Sequence, residues 1–416
     1  MRRSRVLPAL AALVAAGAVI AGCGSSSSTT TSTSSSAASG STTSSSSGKP
    51  IVIGAVVDLT STMKAFDGPA LNAAQAEIKK INAAGGVDGR KLVMTVENDK
   101  LVPAQTRADA LDQVSKGANI LWVTCDVDFA TPSTLVGLSQ KLLTVSPCIS
   151  TDQMGPKRFG PAGDLAFTFG SIAQDEGAAL AQYAISKGWK TADVVQDKAI
   201  AYTANDAQAF AQRFTQLGGK VVGTFSFAQG DHTIGSVATK VVGQKAQVID
   251  LSTFWSPAGD LPAFLSDVRS VGDTTPIVGP WSIDGTFWLP SNPKISTGIW
   301  HTAYSSVYGD DPDPAVKSLE AQLTAEGQPP ATGGFVLGAA AIDGIAAAIK
   351  QAGGSTDGAK LASIIENYKD VALLGGPVTY TSQIHGVIGR PWRMIEVTAG
   401  KPKYIGMIKA TSPAGL

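Results

Sequence analysis

From Ile51 onward, short apolar, β-branched runs alternate with longer segments whose apolar positions recur every three or four residues. "IVIGAVVDL" has the unbroken apolar character of a strand covered on both faces. In "GPALNAAQAEIKKINAAGG" the residues Leu71, Ala74, Ile78 and Ile81 share one helical face, Pro69 suits a first turn, and Gly85 and Gly86 provide a stop. The alternation continues as "KLVMTVEND", a helix within "PAQTRADALDQVSKG", "ANILWVTC", a helix near "TPSTLVGLSQK", and "LLTVSPC". A second series follows "LAFTFGS": helix "DEGAALAQYAISKG", strand "TADVVQD", helix "AYTANDAQAFAQRFTQLGG" and strand "KVVGTFSFA". It continues through "TIGSVATKVVGQK", "AQVIDLST", "GDLPAFLSDVRSVG" and "TPIVGPW". Two successive α/β lobes with parallel-sheet cores are predicted, and open sheets of this kind bind ligands beyond the carboxyl ends of their strands.

The first residues follow a different pattern. "MRRSR" is basic, and the apolar run from Val6 to Ile20 is shorter than the roughly 20 residues a membrane-spanning helix needs. This is the architecture of a secretory signal over residues 1–22. Ile20, Ala21, Gly22 and Cys23 resemble the lipobox of bacterial lipoproteins, which implies lipid attachment to Cys23 and cleavage just before it. An ordinary cleaved signal followed by a bystander cysteine is the competing reading. Residues 23–49 are drawn mostly from Ser, Thr, Gly and Ala and carry too little apolar surface to offset their ordering entropy. As a flexible tether they would span roughly 25 to 30 Å.

About 365 residues remain from Ile51 to Leu416, more than one core normally serves. A formal charge of zero gives no general argument for nucleic acid or an anionic membrane surface. There is no G-x-S-x-G and no H-E-x-x-H, and His232, His301 and His385 are isolated in sequence. No catalytic constellation assembles, no cofactor is indicated, and the expectation is a binding protein rather than an enzyme.

The stretch from "IVIGAVVDLTSTMKAFDGPALNAAQ" through "INAAGGVDGRKL", with "LLTVSPCIS", "DKAIAYTANDAQAF", "PIVGPW" and "GGPVTYTSQIHG", resembles the type I periplasmic binding proteins. Within these it is similar to the branched-chain amino acid (Leu/Ile/Val) receptors of ABC importers. The resemblance runs from Pro50 nearly to the C-terminus and implies two Rossmann-like lobes joined by a three-crossing hinge, closing on ligand as a flytrap does. Crossings near Phe169, Ala303 and Val378 would put residues 50–168 and 304–378 in lobe 1, and 169–303 and 379–416 in lobe 2. The implied function is an extracytoplasmic, lipid-anchored receptor that takes a small molecule and delivers it to an ABC permease in the cytoplasmic membrane. A sensing protein of the same fold, passing a conformational change to a membrane partner, is the alternative.

The family's ligand contacts carry over unevenly. The loop after "ILWVTC" reads "DVDFATPS", where Asp126, Asp128 and Phe129 replace the small hydroxyl residues that usually meet a ligand carboxylate. In "SPCIS", Cys148 and Ser150 stand at contacting positions, and in lobe 2 Tyr202 and Trp255 match cleft aromatics. Trp281 occupies the place that normally holds an acidic residue for the ligand ammonium, a departure that argues against a standard α-amino acid. With Phe66 and Phe254 the cleft would be rich in aromatic faces with carboxylates nearby, a combination suited to a cationic or ring-bearing ligand. Lobe core is the other reading of these aromatics, and a helix cap the other reading of the aspartates. Cys125 and Cys148 each end a predicted strand of lobe 1, and in an exported chain a disulfide is the leading reading over two buried thiols.

Overall fold

The computed structural model describes residues 48–416. The signal segment 1–22, Cys23 and nearly all of the tether lie outside the described residues. The first lobe opens with β1 (Ile51–Val57), α1 (Lys64–Ala83), β2 (Leu92–Asn98), α2 (Pro103–Ser115), β3 (Ile120–Val123), α3 (Val127–Ser139), β4 (Leu143–Ser146), α4 (Pro156–Phe159) and β5 (Ala166–Thr168). The chain then enters the second lobe through α5 (Ala173–Ser186), β6 (Thr191–Asp197), α6 (Ala201–Gln216), β7 (Lys220–Phe227), α7 (Ile234–Gln244), β8 (Val248–Ser252), α8 (Asp260–Ser270), β9 (Ile277–Gly279) and β10 (Ile299–Ala303). It returns with α9 (Pro314–Ala325), α10 (Phe335–Gln351), α11 (Gly358–Glu366) and the hairpin β11 (Val371–Leu373) and β12 (Gly376–Val378). Two last strands, β13 (Trp392–Thr398) and β14 (Lys401–Ile408), belong to the second lobe.

The first sheet has the order β2-β1-β3-β4-β5 and every pairing is parallel, as between Ile53 and Ile120 or Thr144 and Ala166. One face packs Ile53, Ala55 and Trp122 against α1, α10 and α11 through Leu71, Ile78, Ile345 and Ile365. The other packs Val56, Leu121 and Val123 against α2 and α3. The second sheet runs β14-β13-β10-β9-β8-β6-β7. Its β10-to-β7 portion is parallel, while β13 and β14 are added antiparallel. The α/β architecture with two parallel cores is therefore the one the hydrophobic alternation predicts. The antiparallel edge has no counterpart in that alternation.

Helix α1 begins at Lys64, so Pro69 lies inside it rather than in its first turn. Proline cannot donate to the carbonyl four residues back, which here is Ala65. That carbonyl accepts the Thr332 hydroxyl at 3.1 Å instead, just ahead of α10. The two helices then approach so closely that a Cβ on Gly338 would stand 1.8 Å from the Ala70 carbonyl oxygen, which requires glycine there.

Past the hairpin the chain remains on the first lobe beyond Val378. His385 O accepts Thr168 N at 2.9 Å, so the segment still runs beside β5 at His385 and the third crossing falls after it, where Val387 O accepts Ile172 N at 3.0 Å next to the first connection. Arg390, fully buried, donates to Phe169 O at 2.8 Å and lies 5.8 Å from the centre of the Tyr304 ring. One side chain thus touches all three connections between the lobes.

Candidate functional site

The loops after the strands of both sheets meet at the lobe boundary. The loop after β1 is organised by Asp58, which accepts Ser61 N and Met63 N at 2.8 Å each and the Ser61 hydroxyl at 2.6 Å. Asp67, on α1, ties that loop to the one after β3 by accepting Asp58 N at 2.8 Å, the Thr124 hydroxyl at 2.6 Å and Cys125 N at 2.8 Å. Burial pushes Asp67 up to about 8 against the pull of these donors. Asp126 is the N-cap of α3, accepting Asp128 N at 2.9 Å and Phe129 N at 3.2 Å. Burial, aided by the charge of Asp128, pushes Asp126 up to about 7.

The cavity at the boundary is lined by Met63, Phe66, Cys125, Asp126 and Ser150 from the first lobe and by Ile200, Tyr202, Phe254, Trp281 and Ser282 from the second. Only about 20 Å³ is open to the centre of a water molecule, room for a single water. Aromatic side chains fill the rest. Trp281 meets Phe66 edge-on with centroids 5.1 Å apart and Tyr304 at 5.1 Å, and Tyr304 in turn packs on Trp392 at 4.6 Å. Trp281 also crosses the boundary, its indole Nε1 donating to Ser150 Oγ at 2.9 Å, and Ser150 shares a 2.7 Å hydrogen bond with the Tyr304 hydroxyl. An organic solute can occupy this space only if the lobes or the rings part.

Six of the ten ligand contacts expected from sequence converge on this cavity: Phe66, Asp126, Ser150, Tyr202, Phe254 and Trp281. Four do not line it. Asp128 turns to Arg158, 2.7 Å away, and to Ala201 N, so neither oxygen faces the cavity. Phe129 packs half-buried against the surrounding apolar cluster. Cys148 is joined by a disulfide to Cys125, their Cα atoms 4.8 Å apart, and it is Cys125 that reaches the lining. Trp255 stands edge-on to Phe287 at 5.2 Å, lining a separate outer hollow that also includes Lys64, Asn72 and Pro329.

Sequence reasoning passed over Glu176. It lies fully buried in the first turn of α5, where Asp175 and Glu176 read as ordinary acids at a helix start. Its oxygens accept the Tyr202 hydroxyl at 2.6 Å, Trp281 N at 2.8 Å and the Thr302 hydroxyl. Burial pushes Glu176 up to about 7. Ile200, Met63 and Ser282 were also passed over, since nothing local marks an aliphatic or hydroxyl residue as cavity lining. His301, isolated in sequence, has a buried neighbour in Asp284, 3.9 Å away, and burial draws its pKa down toward the neutral imidazole.

A two-lobed α/β molecule with an aromatic-walled cavity between its lobes has the architecture of a binding protein. The chain belongs to the periplasmic binding protein family, whose match covers residues 50–402. It is 25% identical over 334 residues to the Leu/Ile/Val-binding protein BraC3 of Rhizobium johnstonii, spanning 79% of this chain and 87% of that protein. Its fold is similar to that of the branched-chain amino acid transporter substrate binding protein LivJ from Streptococcus pneumoniae in complex with isoleucine. That likeness has a TM-score of 0.73 at 18% identity and covers 86% of this chain and 99% of the other. A solute binding protein of an R. palustris ABC transporter in complex with benzoate is similar at a TM-score of 0.71 and 18% identity, covering 88% of this chain and 97% of the other. The family is one of extracytoplasmic solute receptors rather than enzymes. No described helix is long and apolar enough to cross a membrane.

Proposed function

We propose that the chain is the lipid-anchored receptor of an ABC importer, closing its lobes around a small amino-acid-like, aromatic or cationic solute and delivering it to a membrane permease. One observation carries the ligand class: four aromatic side chains and the carboxylate of Asp126 line the interlobe cavity, with no Lys or Arg among its lining residues. Ring faces attract cations and stack on other rings, and a low-dielectric carboxylate strengthens the preference for positive charge. Lobe closure removes the solute from water, and micromolar binding corresponds to about 8 kcal/mol.

Calorimetry against a panel of cationic, aromatic and aliphatic amino-acid-like compounds tests this reading. A ring-bearing or cationic compound should bind, and Trp281→Ala should weaken it strongly by removing the side chain that spans both lobes. Binding confined to aliphatic amino acids, with affinity unchanged in Trp281→Ala, would sink the proposal. A thermal-shift screen selects the panel, since a solute at 100 times its Kd stabilises by about 2.7 kcal/mol.

A further inference from the structure

Two helices at the lobe boundary start without a capping side chain of their own. The N-cap of α6 is Ile200 and that of α10 is Gly334, and neither supplies a side-chain acceptor. A helix start carries unpaired N–H groups and a partial positive charge, so a carboxylate placed there is favourable. In both cases the carboxylate comes from the opposite lobe. Asp128, in the first lobe, accepts Ala201 N of α6 at 2.7 Å. Asp284, in the second lobe, accepts Gly333 N, directly before the α10 cap, at 2.6 Å and the Tyr308 hydroxyl at 2.7 Å.

Each aspartate is also fixed on its own side. Arg158 holds the second oxygen of Asp128 at 2.7 Å and is itself held by Gln153 at 2.9 Å. Asp284 accepts Gly285 N at 2.8 Å. Opening the hinge would therefore withdraw an anchored carboxylate from a helix start on both sides of the boundary at once. We propose that Asp128 and Asp284 form a reciprocal closure latch, Asp128 capping α6 of the second lobe and Asp284 holding the residue that leads into α10 of the first, so that the closed form is stabilised by residues that never touch the solute. Its bearing on affinity rests on the receptor reading; the latch itself does not need a solute to be measured.

Hydrogen bonds to charged groups have magnitudes that convert to a shift of about ten-fold to a hundred-fold toward the open form for Asp128→Ala or for Asp284→Ala. The experiment uses the purified, solute-free protein, with small-angle scattering and spin-label distances between Leu135 and Val271, exposed positions in the first and second lobes respectively. The expected result is a larger radius of gyration and a broader distance distribution in Asp128→Ala and Asp284→Ala, each of which should still unfold cooperatively. Arg158→Gln, which leaves the bond to Ala201 in place and removes only the anchor on the near side, should open the protein less than Asp128→Ala. Should Asp284→Ala fail to fold, Asp128→Ala against Arg158→Gln decides the matter alone. Folded variants with wild-type scattering and distances would overturn the latch, and so would an Arg158→Gln protein as open as Asp128→Ala. If the aspartate variants open but no compound of the panel binds wild type, the latch stands and the receptor reading falls.

Discussion

Asp67 gives the sharpest test of how the site is built, because one carboxylate holds two loops of the first lobe in place. Asp67→Ala strips the acceptor from two buried backbone N–H groups, those of Asp58 and Cys125, and from the Thr124 hydroxyl. The hydroxyl can turn to another acceptor, while the backbone groups cannot. At about 1 to 3 kcal/mol for each stranded N–H, the variant should lose about 2 to 6 kcal/mol in urea unfolding. Asp67→Asn keeps the shape and one acceptor and should lose less, and it also removes the titration. Burial raises the folded carboxyl to about 8 from an ordinary value of 3.8. The stabilisation linked to this group is therefore complete below its unfolded pKa and is lost as the pH climbs through 8. The stability advantage of wild type over Asp67→Asn should shrink between pH 5 and pH 8, with a limiting slope of about 1.4 kcal/mol per unit. An advantage that is constant or grows with pH would show that the three donors outweigh burial, and the reasoning would fail.

The disulfide and the lipid anchor lend themselves to direct measurement. Cys125 and Cys148 are 23 residues apart in sequence, and opening that loop with Cys148→Ser or a reductant should cost roughly 3 kcal/mol in the chain-entropy model. Mass spectrometry of the untreated protein should find no free thiol in residues 48–416. Replacing Cys23 with Ser should release the protein from membrane fractions while leaving solute affinity unchanged, and undiminished membrane retention would exclude the lipid.

The sheets were legible because a strand covered on both faces leaves a continuous apolar run, as "IVIGAVV" does. The antiparallel pair β13 and β14 was less so. β14 alternates exposed and half-buried positions at the sheet edge, a pattern that fixes a strand but not its direction. In the site, residues that announce themselves by size, such as Phe66, Tyr202 and Trp281, were found from sequence. The contacts of Asp128 were not legible, because a carboxylate two residues past a helix cap has the same local sequence whether it faces a solute or the start of a helix in another lobe. Its bond to Ala201 joins residues 73 positions apart and leaves no local mark.

Trp281 stands where the resemblance puts an acidic residue, but the negative charge has not left that region. Glu176 reaches the same place from α5, behind the rings, with the Trp281 backbone N–H on one oxygen and the Tyr202 hydroxyl on the other. With its oxygens so occupied it is a positioning residue: it holds two wall residues and adds negative potential behind the ring of Tyr202. Burial raises both Glu176 and the cavity-lining Asp126 to about 7, so charge in this wall increases as the pH rises through neutrality. A permanently cationic solute should therefore bind more tightly at pH 8 than at pH 6, whereas a neutral ring should not. Two carboxylates contribute, so Glu176→Gln should reduce the slope of log Kd against pH without abolishing it, and Asp126→Asn should remove most of the remainder. Calorimetry with a quaternary ammonium compound across that range decides the point: a pH slope in Glu176→Gln equal to that of wild type would mean that the buried carboxylate does not act on the bound cation.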